Sequence, residues 1–113
     1  MSIEKYGGSH GLRDEGLLES AIARPYQTFG GENLYTSIYQ QAAAITESLI
    51  INHPFVDGNK RTGFLAMFAM LRKENIIIKA GEDEVYPFVI DISTGKIKFD
   101  EIVTWLKNNS LSL

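Results

Sequence analysis

The chain has 113 residues, a formal charge of −3 and a pI near 5.3, with 44% apolar and 22% charged residues. That composition fits one globular domain over residues 1–113, large enough to bury its own core. The acidic balance excludes a global basic field for nucleic acid, so no direct nucleic-acid partner is expected and any anion site must be local. The lack of cysteine excludes disulfides and cysteine-ligated zinc. The longest apolar run, FLAMFAML at 64–71, is far short of the ~20 residues that span a bilayer. The opening MSIEKYGGSH also lacks the apolar core of a signal peptide. A cytoplasmic protein with no membrane partner is expected.

In chain order, Met1 to Arg13 is glycine-rich and reads as irregular. Asp14 is placed as an N-cap, with a short helix to about Ala23 whose apolar stripe is Leu17, Leu18, Ala21 and Ile22. Arg24-Pro25 ends it, because the residue before proline is pushed out of the helical region. Residues 25 to 36 form a loop around Gly30-Gly31. A helix from about Ser37 to Asn52 carries Ile38, Ala42, Ile45 and Leu49 on one face and stops at His53-Pro54. A second runs from about Asn59 to Asn75; its middle is apolar all round, which predicts a central, buried helix with Phe64, Met67 and Phe68 in the core. Ile76-Ile77-Ile78 favours a short extended piece. Glu82 to Thr94 reads as a helix if Pro87 lies in its first turn. A last helix starts at Phe99 or Asp100, packs Ile102, Val103, Trp105 and Leu106 inward and ends at Asn108-Asn109. The fold class is all-α.

The chemistry concentrates in HPFVDGNKRTG, 53–63. Two helices flanking this loop would put Gly58-Asn59-Lys60-Arg61 at a helix N-terminus. Free backbone N–H groups and the positive dipole end meet there and suit an anion. Gly58 allows close backbone approach to a phosphate. Lys60 and Arg61 add charge, and Arg61 can grip two oxygens. Asn59 can orient a phosphate or cap the helix. Asp57 beside phosphates is a usual handle for Mg²⁺. His53, across the loop, can take a proton from an attacking hydroxyl. Phe55 is expected to point inward and pin the loop. Each residue alone has a plainer reading: a solvated histidine, an Asp-Gly-Asn turn, a charged face. Their joint spacing favours a phosphoryl- or nucleotidyl-transfer site.

The segment resembles the signature of the Fic/Doc superfamily, H-x-F-x-[DE]-[GA]-N-[GK]-R, at every defined position. Its N-K-R-T-G ending is similar to the death-on-curing (Doc) branch. The likeness extends upstream through GGSHGLRDEGLLESAIARP and TFGGENLYTSIYQQAAAITESLI, and downstream through DEVYPFVIDISTGKIKFDEIVTWL, so it covers roughly residues 7 to 107. Against that pattern the chain begins part-way through the first helix, which predicts a shortened N-terminus. The resemblance implies a compact helical bundle with a minor β-hairpin flap formed by Thr28 to Asn33. Fic proteins transfer AMP from ATP to a hydroxyl; they carry glycine at the place of Lys60 and a second arginine at that of Phe64. Doc-like proteins carry the lysine, lack that arginine, and phosphorylate a threonine of elongation factor Tu with ATP in a flipped orientation, arresting translation.

By this resemblance His53 is the base, Asp57 the Mg²⁺ ligand, and Gly58, Asn59, Lys60 and Arg61 the phosphate cradle. ATP and Mg²⁺ are the implied cofactors. The implied partners are a separate antitoxin chain, whose tail folds as a helix into a groove, and a protein target. The inhibitory hexapeptide [ST]-x-x-x-E-[GN] of many Fic proteins is absent: four residues before Glu15-Gly16 stands Gly11. AMP transfer and a catalytically idle protein-binding domain are the alternative functions. His10 reads as a plain surface residue, and Arg13-Asp14 as an ion pair or a cap.

Overall fold

The computed structural model describes residues 11–113. His10 and most of the opening read as irregular lie outside them. Helix α1, Glu15–Ala23, begins where the Asp14 carboxylate accepts the Leu17 N–H, as expected. Its stripe is only partly buried: Ala21 is enclosed, while Ile22 faces solvent. The chain then tightens into a 3₁₀ turn, Arg24–Tyr26. Strands β1, Thr28–Phe29, and β2, Glu32–Asn33, form an antiparallel hairpin across Gly30-Gly31. Both glycines have positive φ, 61° and 85°, the backbone that a tight hairpin turn requires. The anticipated minor hairpin is therefore present.

Helix α2, Ile38–Asn52, opens on a capping box. Ser37 Oγ accepts the Gln40 N–H, and Gln40 Oε1 accepts the Ser37 N–H, both at 3.1 Å. Helix α3, Asn59–Arg72, is followed by strand β3, Ile76–Ile78, helix α4, Glu82–Ser93, helix α5, Phe99–Asn108, and strand β4, Ser110–Ser112. The β3 residues pair antiparallel with β4, in the register Ile76↔Ser112, Ile77↔Leu111 and Ile78↔Ser110. The architecture is thus mostly helical, with two minor two-stranded sheets among the described residues. No helix among them is long and apolar enough to cross a membrane.

The central helix is not the one expected. Helix α2 packs against α1, the 3₁₀ turn, α3, α4 and α5, and buries Ala42 through Thr46 and Ser48 through Ile50. Its Ala42-Ala43-Ala44 run explains this, because small side chains let neighbours approach from several sides at once. Helix α3 buries Met67, Met70 and Leu71 but leaves Leu65 55% and Phe68 38% exposed. An apolar circumference marked α3 as central, yet α3 has packed neighbours on only part of its surface. It also ends at Arg72 rather than Asn75: Asn75 turns left-handed at φ 59° and leads the chain into β3. Pro87 falls in the second turn of α4, not the first. It is exposed, and its missing N–H removes one hydrogen bond from the helix there. Trp105 is half-buried and stacks on Phe88 of α4, with ring centroids 3.8 Å apart.

Arg24 joins four segments. Its guanidinium donates to the Tyr35 hydroxyl at 3.0 Å, to Glu47 at 2.9 Å and to Ser48 at 2.9 Å. It also lies 5.6 Å from the centroid of the Phe99 ring. Burial works against the charged form, but the hydrogen bonds and charges of Tyr35 and Glu47 outweigh it and raise the pKa. A raised folded-state value contributes stability that is complete below the ordinary arginine range and is lost only in strong alkali. Arg24 therefore holds these segments at any physiological pH.

The approach of α3 to α2 is set by Gly63. A Cβ there would lie 2.7 Å from Ile50 Cγ1 and 3.3 Å from the Thr46 carbonyl. Ile50 is fully buried, so any shift it makes presses on the core. Gly63→Ala gains roughly 1 kcal/mol of helix propensity but overpacks at roughly 1–3 kcal/mol. Chemical denaturation is expected to show a net loss of about 1 kcal/mol. Adding Ile50→Val should recover part of it.

Candidate active site

Helix α2 ends at His53, whose backbone turns left-handed at φ 49°, ψ 55°. Pro54 follows, and helical continuation stops there. Two of the freed carbonyls are taken by a residue 40 positions upstream. Arg13 Nε donates to the His53 carbonyl at 2.7 Å, and Arg13 Nη2 donates to the Asn52 carbonyl at 2.9 Å. A guanidinium there complements the negative end of the helix dipole. The segment 11–14 then runs alongside the loop. The N–H groups of Arg13 and Asp14 donate to the Pro54 carbonyl at 2.8 and 3.0 Å, Val56 N–H donates to the Gly11 carbonyl at 3.1 Å, and Leu12 bridges Phe55.

Inside the loop, Phe55 is buried as expected. It is held by Asn59, whose Oδ1 accepts the Phe55 N–H at 2.9 Å and whose Nδ2 donates to the Phe55 carbonyl at 3.0 Å. The Asn59 carboxamide is thus spent on the loop, and what it offers an anion is its backbone N–H. Gly58 ends the loop in the left-handed region, φ 77°, and caps α3 without a side-chain acceptor. A Cβ at Gly58 would meet no atom within 4 Å, so it is the backbone conformation, not space, that demands glycine.

The result is one pocket of about 480 Å³ lined by His53, Val56, Asp57, Gly58, Asn59, Lys60 and Arg61. Its size suits a small ligand. All six residues singled out in the sequence meet there. The side chains of His53, Asp57, Lys60 and Arg61 are open to solvent. One Asp57 oxygen accepts the Gly58 N–H at 2.8 Å, which holds the carboxylate against the loop. Among the described residues no three His, Asp or Glu side chains gather to cage a metal. A lone carboxylate fits Mg²⁺ that arrives on phosphate oxygens and keeps several waters. Phe64, one turn further along α3, is half-buried and leans on Phe68 at 6.4 Å.

Arg13 is the residue that sequence reasoning missed. The Arg13-Asp14 pair was legible only for its second member, because a guanidinium reaching 40 residues ahead leaves no local periodicity. Two outcomes are expected. Asn59→Ala leaves the buried N–H and C=O of Phe55 unpaired and should cost about 2–4 kcal/mol in denaturant unfolding. Arg13→Ala should cost about 1 kcal/mol and speed hydrogen exchange in the last turn of α2, with the other helices unchanged.

The model of the Fic/DOC family matches residues 1–71. Toxin Doc of Mycolicibacterium smegmatis is 41% identical over 78 residues, which are 69% of this chain and 60% of that protein. Protein kinase doc of Escherichia phage P1 is 26% identical over 106 residues, 94% of this chain and 82% of that protein. The match thus spans less than two thirds of the mycobacterial relative's length. It includes the whole His53–Gly63 loop in the family match, and so this chain belongs to the Fic/DOC family, on its Doc branch.

Proposed function

We propose that this chain is a Doc-type toxin of a toxin–antitoxin module, and that it transfers the γ-phosphate of ATP to a protein hydroxyl. The observation that carries this reading is the shared pocket: His53 and the uncapped tip Gly58–Arg61 line one cavity, with Phe64 where Fic proteins place a second arginine. The two relatives, Toxin Doc and Protein kinase doc, support both halves of it. A threonine of elongation factor Tu is the acceptor this reading expects, and a separate antitoxin chain the restraint.

The chemistry follows from the pocket. The N–H groups at the α3 tip, together with Lys60 and Arg61, hold the terminal phosphate and balance the charge that spreads over its oxygens. His53 takes the proton as the acceptor oxygen bonds to phosphorus and the bond to the ADP oxygen breaks. Mg²⁺, held through Asp57, would supply charge neutralisation on the phosphates. Asn59, through its grip on Phe55, keeps the tip and His53 facing each other.

The test is label transfer from γ-labelled ATP to elongation factor Tu. His53→Ala should lower it by about 10²–10⁴, the scale of a lost general base. Label arriving from α-labelled ATP would instead establish AMP transfer. A chain that labels nothing and leaves growth unaffected when expressed alone would be a binding domain.

A further inference from the structure

We propose that Arg13 is a positioning residue for the reaction, acting through His53: it fixes both backbone dihedrals of His53 and so keeps the imidazole in the pocket with the α3 tip. This rests on the reading above. One residue holds three consecutive carbonyls. Arg13 Nη2 donates to Asn52 at 2.9 Å, Nε to His53 at 2.7 Å, and the backbone N–H to Pro54 at 2.8 Å.

The geometry of that grip is specific. The Asn52 carbonyl lies in the peptide plane before the His53 Cα, and the His53 carbonyl lies in the plane after it. The angle between two rigid planes is set by φ and ψ of the residue between them. A guanidinium is itself a rigid planar fork. Bonded to both carbonyls, it locks the two planes together, and φ and ψ of His53 with them. An ammonium, a point charge on a flexible stem, has no such fork.

His53 needs the lock. It stands at φ 49°, ψ 55°, in the left-handed region. A residue before proline prefers extended backbone, so Pro54 adds a second pull away from the observed conformation. Released, His53 relaxes toward negative φ, and its Cβ swings to a new direction. The imidazole then leaves the place where it lines the pocket with Asp57, Gly58, Lys60 and Arg61. Arg13 lies on the exposed surface and belongs to no part of the core. Its loss therefore disturbs the aim of His53 more than the fold.

The test compares Arg13→Ala, Arg13→Lys and Asp14→Ala in single-turnover transfer of label from ATP to elongation factor Tu. The one-bond Cα–Hα coupling of His53, measured by NMR, reads its φ independently of activity. Arg13→Ala should slow transfer about 10–100-fold, the scale of a base displaced by about 1 Å, with the half-saturating Mg²⁺·ATP unchanged. Its His53 coupling should move toward that of an extended residue. Arg13→Lys keeps the charge at the end of α2 but not the fork, and should stay slow. Asp14→Ala removes the α1 cap at a comparable loss of stability, and should transfer at the unaltered rate. Normal transfer by either Arg13 variant, or an unchanged coupling in Arg13→Ala, would overturn the proposal. Equal slowing by Asp14→Ala would overturn it too, by tracing the effect to general stability. So would a raised half-saturating ATP with an unchanged maximal rate, which would place the effect in binding. If the unaltered chain transfers no label, the proposed function falls, while the coupling still decides whether Arg13 sets the His53 backbone.

Discussion

The two hydrogen bonds between the Asn59 carboxamide and the Phe55 backbone are the constraint on which the site depends. Phe55 is buried, so its N–H and C=O have no water to fall back on, and an unpaired buried group costs about 1–3 kcal/mol. Asn59 meets both needs with one planar group while standing as the first residue of α3. The loop is thereby tied to the helix it precedes. Residues 56 to 58 have little freedom left, and the tip of α3 is fixed relative to the end of α2.

That local tie would fail if the helices themselves could slide. Gly63 prevents this by bringing the α3 backbone against Ile50 and Thr46 of α2. Thr46 spends its hydroxyl on the Ala42 carbonyl at 2.6 Å, so the contact surface is sealed and carries no unpaired polar group. Helix α2 is in turn surrounded, and Arg24 links its middle to the 3₁₀ turn, to Tyr35 and to Phe99. The packing order is therefore core first, helix pair second, loop third. The exposed side chains of His53, Asp57, Lys60 and Arg61 contribute little to it and are free for chemistry.

Much of the site was legible because its signals are local. His53-Pro54 stops one helix, Gly58 permits the left-handed start of the next, and the cations that follow fall in its first turn. Gly30-Gly31 marked a loop for the same reason, while its hairpin form was expected only from the family resemblance. Three features were not. The pairing of β3 with β4 joins residues more than 30 apart, and Ser110 to Ser112 has no alternation to announce a strand. The reach of Arg13 is equally non-local. Phe68, expected in the core, and Leu65, on the helix expected to be buried all round, are exposed: hydrophobicity was counted around α3, whereas burial depends on which neighbours arrive. Those two exposures reflect the same one-sided packing that leaves a groove between α3 and α4.

Backbone strain separates the functional loop from ordinary turns. Two described non-glycine residues have positive φ, His53 and Asn75. Asparagine tolerates that region, and Asn75 uses it to redirect the chain into β3, where its carbonyl accepts the Leu113 N–H at 2.8 Å. Histidine gains no such local compensation, and holding it there costs on the order of 1–3 kcal/mol. The cost is offset by Arg13 on the His53 carbonyl and by two backbone N–H groups on the Pro54 carbonyl. A solvent-facing side chain on so heavily restrained a backbone serves no packing purpose. What the restraint achieves is to end α2 on an imidazole in the pocket that also holds the α3 tip, which is the placement that the proposed role of His53 as proton acceptor requires.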